Sequence, residues 1–127
     1  MNYTKNEKKQ YYANLRRQWK LAKEHANQDE IGAIINNHGL KISISGFAFV
    51  SAQMKKLGFD GLPYLDIKTF KGWRDNGFMV KKGEKSQVDG LTWINVRPKA
   101  ENEDVIVEPY MMPKVYKLFH KSQVKPA

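Results

Sequence analysis

A chain of 127 residues with 41% hydrophobic and 28% charged side chains has the make-up of one globular domain around one core, which excludes a mainly disordered chain. No run approaches the ~18 apolar residues of a membrane span. Residues 1–30 lack the apolar stretch of a signal peptide. The absence of cysteine excludes disulfides, thiolate metal sites and cysteine nucleophiles, so a cytoplasmic protein is the simpler reading. With 22 Lys+Arg against 13 Asp+Glu the net charge is +9, a surplus that favours polyanionic partners.

Taken in chain order, residues 5–27 predict a helix. Tyr12, Leu15, Trp19, Ala22 and Ala26 share one apolar stripe, with Lys9, Arg16, Lys20 and Lys23 on its flank. A second helix is expected over 29–38, where Ile31, Ile34, Ile35 and His38 line one face, His38 as a half-buried packing residue, and Gly39 stands at the C-cap. Lys41–Ser45 alternates as a short strand or extended segment. Ser45 reads as the N-cap of a third helix over 46–57, with Phe47, Val50, Met54 and Leu57 buried and Gly58 as its end. Gly61 and Pro63 mark a loop.

Thr69 caps an expected short fourth helix. Phe70 and Trp73 face inward on it, Gly72 marks the close approach of another backbone, and Gly77 stops it. Lys81-Lys82-Gly83-Glu84-Lys85 is a polar turn between two extended stretches. Strands are expected over 87–97 and 114–121, with Val105-Ile106-Val107 a further short strand beside an acidic loop, and the last residues frayed. The fold class is α+β, a single domain: an N-terminal helical segment over 1–40, and an α+β unit over 41–127 built on a small antiparallel sheet with helices on one face.

Motifs for catalysis are missing. There is no His-Glu-x-x-His, Gly-x-Ser-x-Gly or Walker A loop, and in Gly83-Glu84-Lys85-Ser86 an intervening Glu84 breaks the Gly-Lys-Ser/Thr order of a P-loop. His25, His38 and His120 lie far apart without ligand spacing. We therefore expect a protein that is not an enzyme, with no cofactor and no metal.

The basic surplus is uneven. Residues 1–27 carry seven basic and two acidic side chains, and residues 67–88 carry six and two. Cations neutralise phosphates, and planar rings stack on the bases that only single strands offer freely. The expected nucleic-acid-binding set is Lys71, Arg74, Lys81, Lys82 and Lys85 for the backbone, with Trp93, Arg97, Tyr116, Lys117 and Lys121 from the two strands. Tyr116 is the better exposed ring, and Phe70, Trp73 and Phe119 read as core.

Residues 45–97 and 114–124 resemble the N-terminal domain of ArdC-like antirestriction proteins. The likeness begins at Ser45-Gly46-Phe47 and sharpens at Thr69-Phe70-Lys71 with Gly77. It continues through Val80-Lys81-Lys82-Gly83-Glu84-Lys85 and closes at Val115-Tyr116-Lys117-Leu118-Phe119-His120-Lys121-Ser122-Gln123. The resemblance implies an α+β domain that binds single-stranded DNA, in a protein of a phage or mobile element engaged in antirestriction or DNA transfer. The zinc and protease roles of full-length relatives do not carry over, because the His-Glu-x-x-His is missing, and residues 1–40 depart from the family's usual lead segment. Two other readings stay open: an inhibitor that binds a host defence protein through Tyr11, Tyr12 and Trp19, and an RNA-binding regulator.

Overall fold

Polar caps and left-handed glycines cut the first half of the chain into three helices, α1 (Lys5–Glu24), α2 (Gln28–His38) and α3 (Ile44–Leu57). The computed structural model describes residues 5–97 and 108–127. The Asn27 side chain accepts the Glu30 N–H at 3.1 Å to open α2, and Gly39 closes it at φ 62°. Gly58 closes α3 in the same way at φ 74°. Its N-cap, however, is Ser43 rather than Ser45. Ser43 Oγ accepts from Gly46 N at 3.0 Å, and the helix begins at Ile44, so Lys41–Ser45 forms no strand. Ile42, just before the cap, folds back onto Gly46, where an added Cβ would stand 2.9 Å from Ile42 Cδ1. His38 is exposed at the end of α2, not a packing residue.

The second half forms β1 (Ile67–Lys68), α4 (Phe70–Asp75), β2 (Phe78–Val80), β3 (Val88–Val96), β4 (Tyr110–His120), a 3₁₀ turn (Lys121–Gln123) and β5 (Val124–Pro126). One antiparallel sheet has the order β1-β4-β3, and β2 pairs with β5 in a second. The final residues are therefore not frayed: Val124, Lys125 and Pro126 stand opposite Val80, Met79 and Phe78. The expected strand at Val105-Ile106-Val107 and most of the acidic loop lie outside the described residues. The fold is a single α+β domain, and among the described residues no helix is long and apolar enough to cross a membrane.

α3 organises the core. Val50 and Met54 join Ile67, Val88 and Leu118; Phe49 joins Leu15 and Leu91; Phe47 and Ala48 join Ile31. Because α3 feeds three clusters, it is apolar all round near its start, where Phe47-Ala48-Phe49-Val50 is buried as a run, whereas its last turn, Lys55-Lys56-Leu57, is exposed. Gln53 on α3 also closes part of the sheet edge. Its amide donates to Asp89 O at 2.8 Å and accepts from Asp89 N at 2.9 Å.

Candidate nucleic-acid interface

α4, β2, the 81–87 turn and β5 make one end of the molecule. Thr69 accepts from Gly72 N at 3.0 Å and starts α4, and Gly77, at φ 84°, turns the chain into β2. A Cβ on Gly72 would meet the Thr69 and Lys68 side chains, not another backbone. Trp73 is buried and donates Nε1–H to Phe119 O at 2.7 Å, which fixes α4 on β4. Lys68 lies over its ring, 5.6 Å from the centroid. Phe119 is half-buried.

Phe70 departs from its expected inward position. It is 54% exposed, because a six-residue helix has room for one buried aromatic on its inner face, and Trp73 fills it. Phe70 and Arg74, one turn apart, share an exposed side of α4. Lys71, Arg74, Lys82 and Lys85 are exposed and make no ion pair among the described residues. Lys81 is more constrained: its Nζ donates to Ser122 O at 3.1 Å and its backbone N–H to Gln123 O at 2.9 Å. Lys125 joins this end through β5, beside the exposed Met79.

A buried polar latch holds the turn in place. His120 N–H donates to Gln123 Oε1 at 2.9 Å, and Gln123 Nε2–H₂ donates to Lys85 O at 2.8 Å and Glu84 Oε2 at 3.2 Å. The buried His120 ring stacks on Phe59, with centroids 4.5 Å apart. Its Nε2 reaches Asp60 O at 2.7 Å, and a carbonyl only accepts; its Nδ1 faces Ser122 N at 3.2 Å, and an amide only donates. The ring is thus the neutral Nε2–H tautomer. Ser122 Oγ, His120 and Asp60 line up in space, but the Nδ1 lone pair is already taken by a backbone N–H, so the imidazole serves as a helix cap.

The remaining expected residues are dispersed. Tyr116 is not the exposed ring of the pair of strands: its ring covers Gly90 and packs on the Val50–Leu118 cluster, and its hydroxyl bonds that of Tyr64. Burial pushes the Tyr64 phenol far up, reinforced by that bond. Trp93 packs against Leu15, Phe49 and Leu91, edge-on to Trp19 with centroids 5.7 Å apart. Lys117 pairs with Asp89 at 3.1 Å. Lys121 bridges Asp60 at 3.2 Å and Asp66 at 3.5 Å; its hydrogen bond holds the Asp60 carboxyl below the ordinary range, and Asp60 in turn raises the Lys121 ammonium. Arg97 follows Val96 at the far end of the β3–β4 ribbon from the basic turn.

Lys71 and Arg74 on α4 and Lys82 and Lys85 on the turn after β2 thus stay exposed, with Lys81 held at the start of that turn. The geometry sets Trp93, Tyr116, Lys117 and Lys121 to structural contacts. Phe70 and Lys125 are the members that sequence reasoning missed. For Phe70 the signal was the shortness of the helix between Thr69 and Gly77; for Lys125 the partner on β2, Met79, is too distant in the chain to leave a local trace. No family model, no curated protein and no solved structure matches this chain.

Proposed function

We propose that this is a non-enzymatic, cytoplasmic protein that binds single-stranded DNA through the α4–β2–β5 end. The observation that carries the reading is an exposed aromatic, Phe70, on the same short helix as the unpaired cations Lys71 and Arg74, with Lys82 and Lys85 on the adjoining turn. Cations neutralise the backbone, and a ring open to solvent accepts an unpaired base, contributing roughly 1–3 kcal/mol per stacked base. Phosphate contacts carry no base information, so sequence preference is low. The resemblance to the N-terminal domain of ArdC-like antirestriction proteins supports DNA over RNA and a role in a phage or mobile element. The segments that carry it, 45–97 and 114–124, include α4, β2 and the 81–87 turn of this end, and of β5 only Val124.

Fluorescence anisotropy with a labelled single strand, its duplex and the matching RNA at equal salt tests the proposal. The single-stranded DNA is expected to bind tightest; equal or tighter duplex binding removes the stacking argument. Replacing Lys71, Lys82 and Lys85 together by Ala should lower the salt slope by about 2, at ~0.7 per phosphate contact on a single strand. The melting temperature should hold, since exposed unpaired charges contribute little to stability.

A further inference from the structure

The β3–β4 ribbon extends beyond the core with one open edge. β3 is the outer strand of the sheet. Both backbone groups of Asp89 bond to Gln53, so they point away from β4. The register from Val88↔Leu118 to Val96↔Tyr110 runs without a bulge. Backbone direction alternates along a strand, so the N–H and C=O groups of Leu91, Trp93 and Asn95 also point to the outer edge. α3 covers that edge at Asp89 through Gln53. Beyond it, no backbone or side-chain partner among the described residues meets the outward groups of Trp93 and Asn95.

The two edges of the ribbon are unlike. On β4, Pro113 stands opposite Trp93 at one of the outward-facing positions, so that edge lacks a donor there. Lys114 and Lys117 add charge to the same strand. On β3, Leu91-Thr92-Trp93-Ile94-Asn95-Val96 holds no charge and no proline, the devices by which natural edges avoid pairing. Within it Ile94 is 42% exposed, and on the neighbouring strand Tyr110 is 48% and Met111 51% exposed. Ile94 stands opposite Met112 and Val96 opposite Tyr110, giving one apolar face to the ribbon's end.

We propose that the open β3 edge pairs antiparallel with β3 of a second copy of this chain. Self-pairing fits the charge distribution. In a chain of net charge +9, this hexapeptide brings no charged side chain of its own to the seam between two copies. The antiparallel arrangement directs the two basic α4–β2–β5 ends away from each other. Pairing Trp93 with Asn95 of the second copy satisfies four outward groups on each strand and sets Ile94 opposite itself on a two-fold axis. That central pair is of the close, non-hydrogen-bonded kind. The dimer would carry a continuous six-stranded sheet in the order β1-β4-β3-β3-β4-β1.

The absence of cysteine gives a clean test. Sedimentation equilibrium of the wild-type chain is expected to show a monomer–dimer equilibrium. Asn95→Pro removes only an outward N–H, so it should leave the folded monomer intact and weaken dimerisation about tenfold or more, two interchain bonds being lost. Ile94→Cys should form a disulfide-linked dimer under mild oxidation, since Cα atoms of such a pair lie within disulfide reach. A wild-type chain that stays monomeric at its highest attainable concentration overturns the proposal and leaves the edge to an extended segment of another protein. A dimer that neither weakens with Asn95→Pro nor cross-links through Ile94→Cys has its interface elsewhere and overturns it too.

Discussion

At the scale of single residues, Gly90 and Tyr64 show how much of the Val50–Leu118 cluster depends on close approach. Gly90 is the third residue of β3, and the Tyr116 ring from β4 lies against it, where a Cβ would overlap the ring. Gly90→Ala must expel that ring, break the Tyr64–Tyr116 bond and open the cluster beneath, so it should cost about 1–3 kcal/mol, read as a lower urea midpoint. Tyr64 has φ 65°, the only described non-glycine residue with positive φ. It is kept there by Asp66, whose carboxylate accepts from Leu62 N at 2.7 Å and whose carbonyl accepts from Lys121 N at 2.8 Å. The folded state keeps the Tyr64 proton above the ordinary value of 10.0, whereas the unfolded chain releases it. Stability from this group is therefore complete below pH 10 and falls as pH rises beyond it, by up to ~1.4 kcal/mol per pH unit. The fall in urea midpoint between about pH 9 and about pH 11 should be smaller in Tyr64→Phe than in the wild type. Neither residue was legible as important in the sequence. Tyr116 reads as an exposed ring on an alternating strand, and only the register that brings Gly90 beneath it reveals why it is covered.

At the scale of elements, what was legible is what is local. Gly39, Gly58 and Thr69 mark helix ends correctly because a cap is set by residues three or four positions away. The stripe of α1 was equally legible: Leu15 is buried, with Tyr12, Trp19 and Ala22 packed around it. The start of α3 was misread because two serines two residues apart can both cap, and the choice falls to Ile42 packing on Gly46. β5 was invisible because three residues become a strand only when β2 is there to receive them. The same long-range logic makes Gln123 a good test of the basic turn. Its side chain, 4% exposed, joins Lys85 O, Glu84 and His120 N–H. Gln123→Ala leaves a buried donor and acceptor without partners and should cost about 1–3 kcal/mol. The amides of Lys81 and Glu84 should also exchange faster with solvent in this variant, because the turn loses the latch that holds it against the 3₁₀ segment.

At the scale of the whole molecule, charge is found in two places that differ in kind. α1 is long and cationic, with Lys5, Lys8, Lys9, Arg16, Arg17, Lys20 and Lys23 exposed on its outer surface, Tyr12 and Trp19 turned toward α3 and the β3–β4 ribbon, and Tyr11 exposed. Trp19, the ring best suited to stacking on that helix, is committed to Phe49 and Trp93. The α4–β2–β5 end has fewer cations but an open ring. The exposed ring of α1, Tyr11, is engaged edge-on with Tyr12, centroids 5.4 Å apart, so α1 attracts polyanions, duplex or single-stranded, mainly through charge, and that attraction fades beyond a Debye length of about 8 Å at physiological salt. An end that offers charge and a ring separates the two. Replacing Lys8, Lys9 and Lys20 by Gln should therefore weaken single-strand and duplex binding by the same factor. Phe70→Ala should weaken single-strand binding by roughly 1–3 kcal/mol per base stacked and leave duplex binding unchanged. Paired anisotropy titrations of the two variants at one salt concentration check this. If Phe70→Ala moves both ligands equally, the ring takes no base and the α4–β2–β5 end is electrostatic only. If the α1 variant abolishes the single-strand preference, the discriminating surface lies on the N-terminal helix instead.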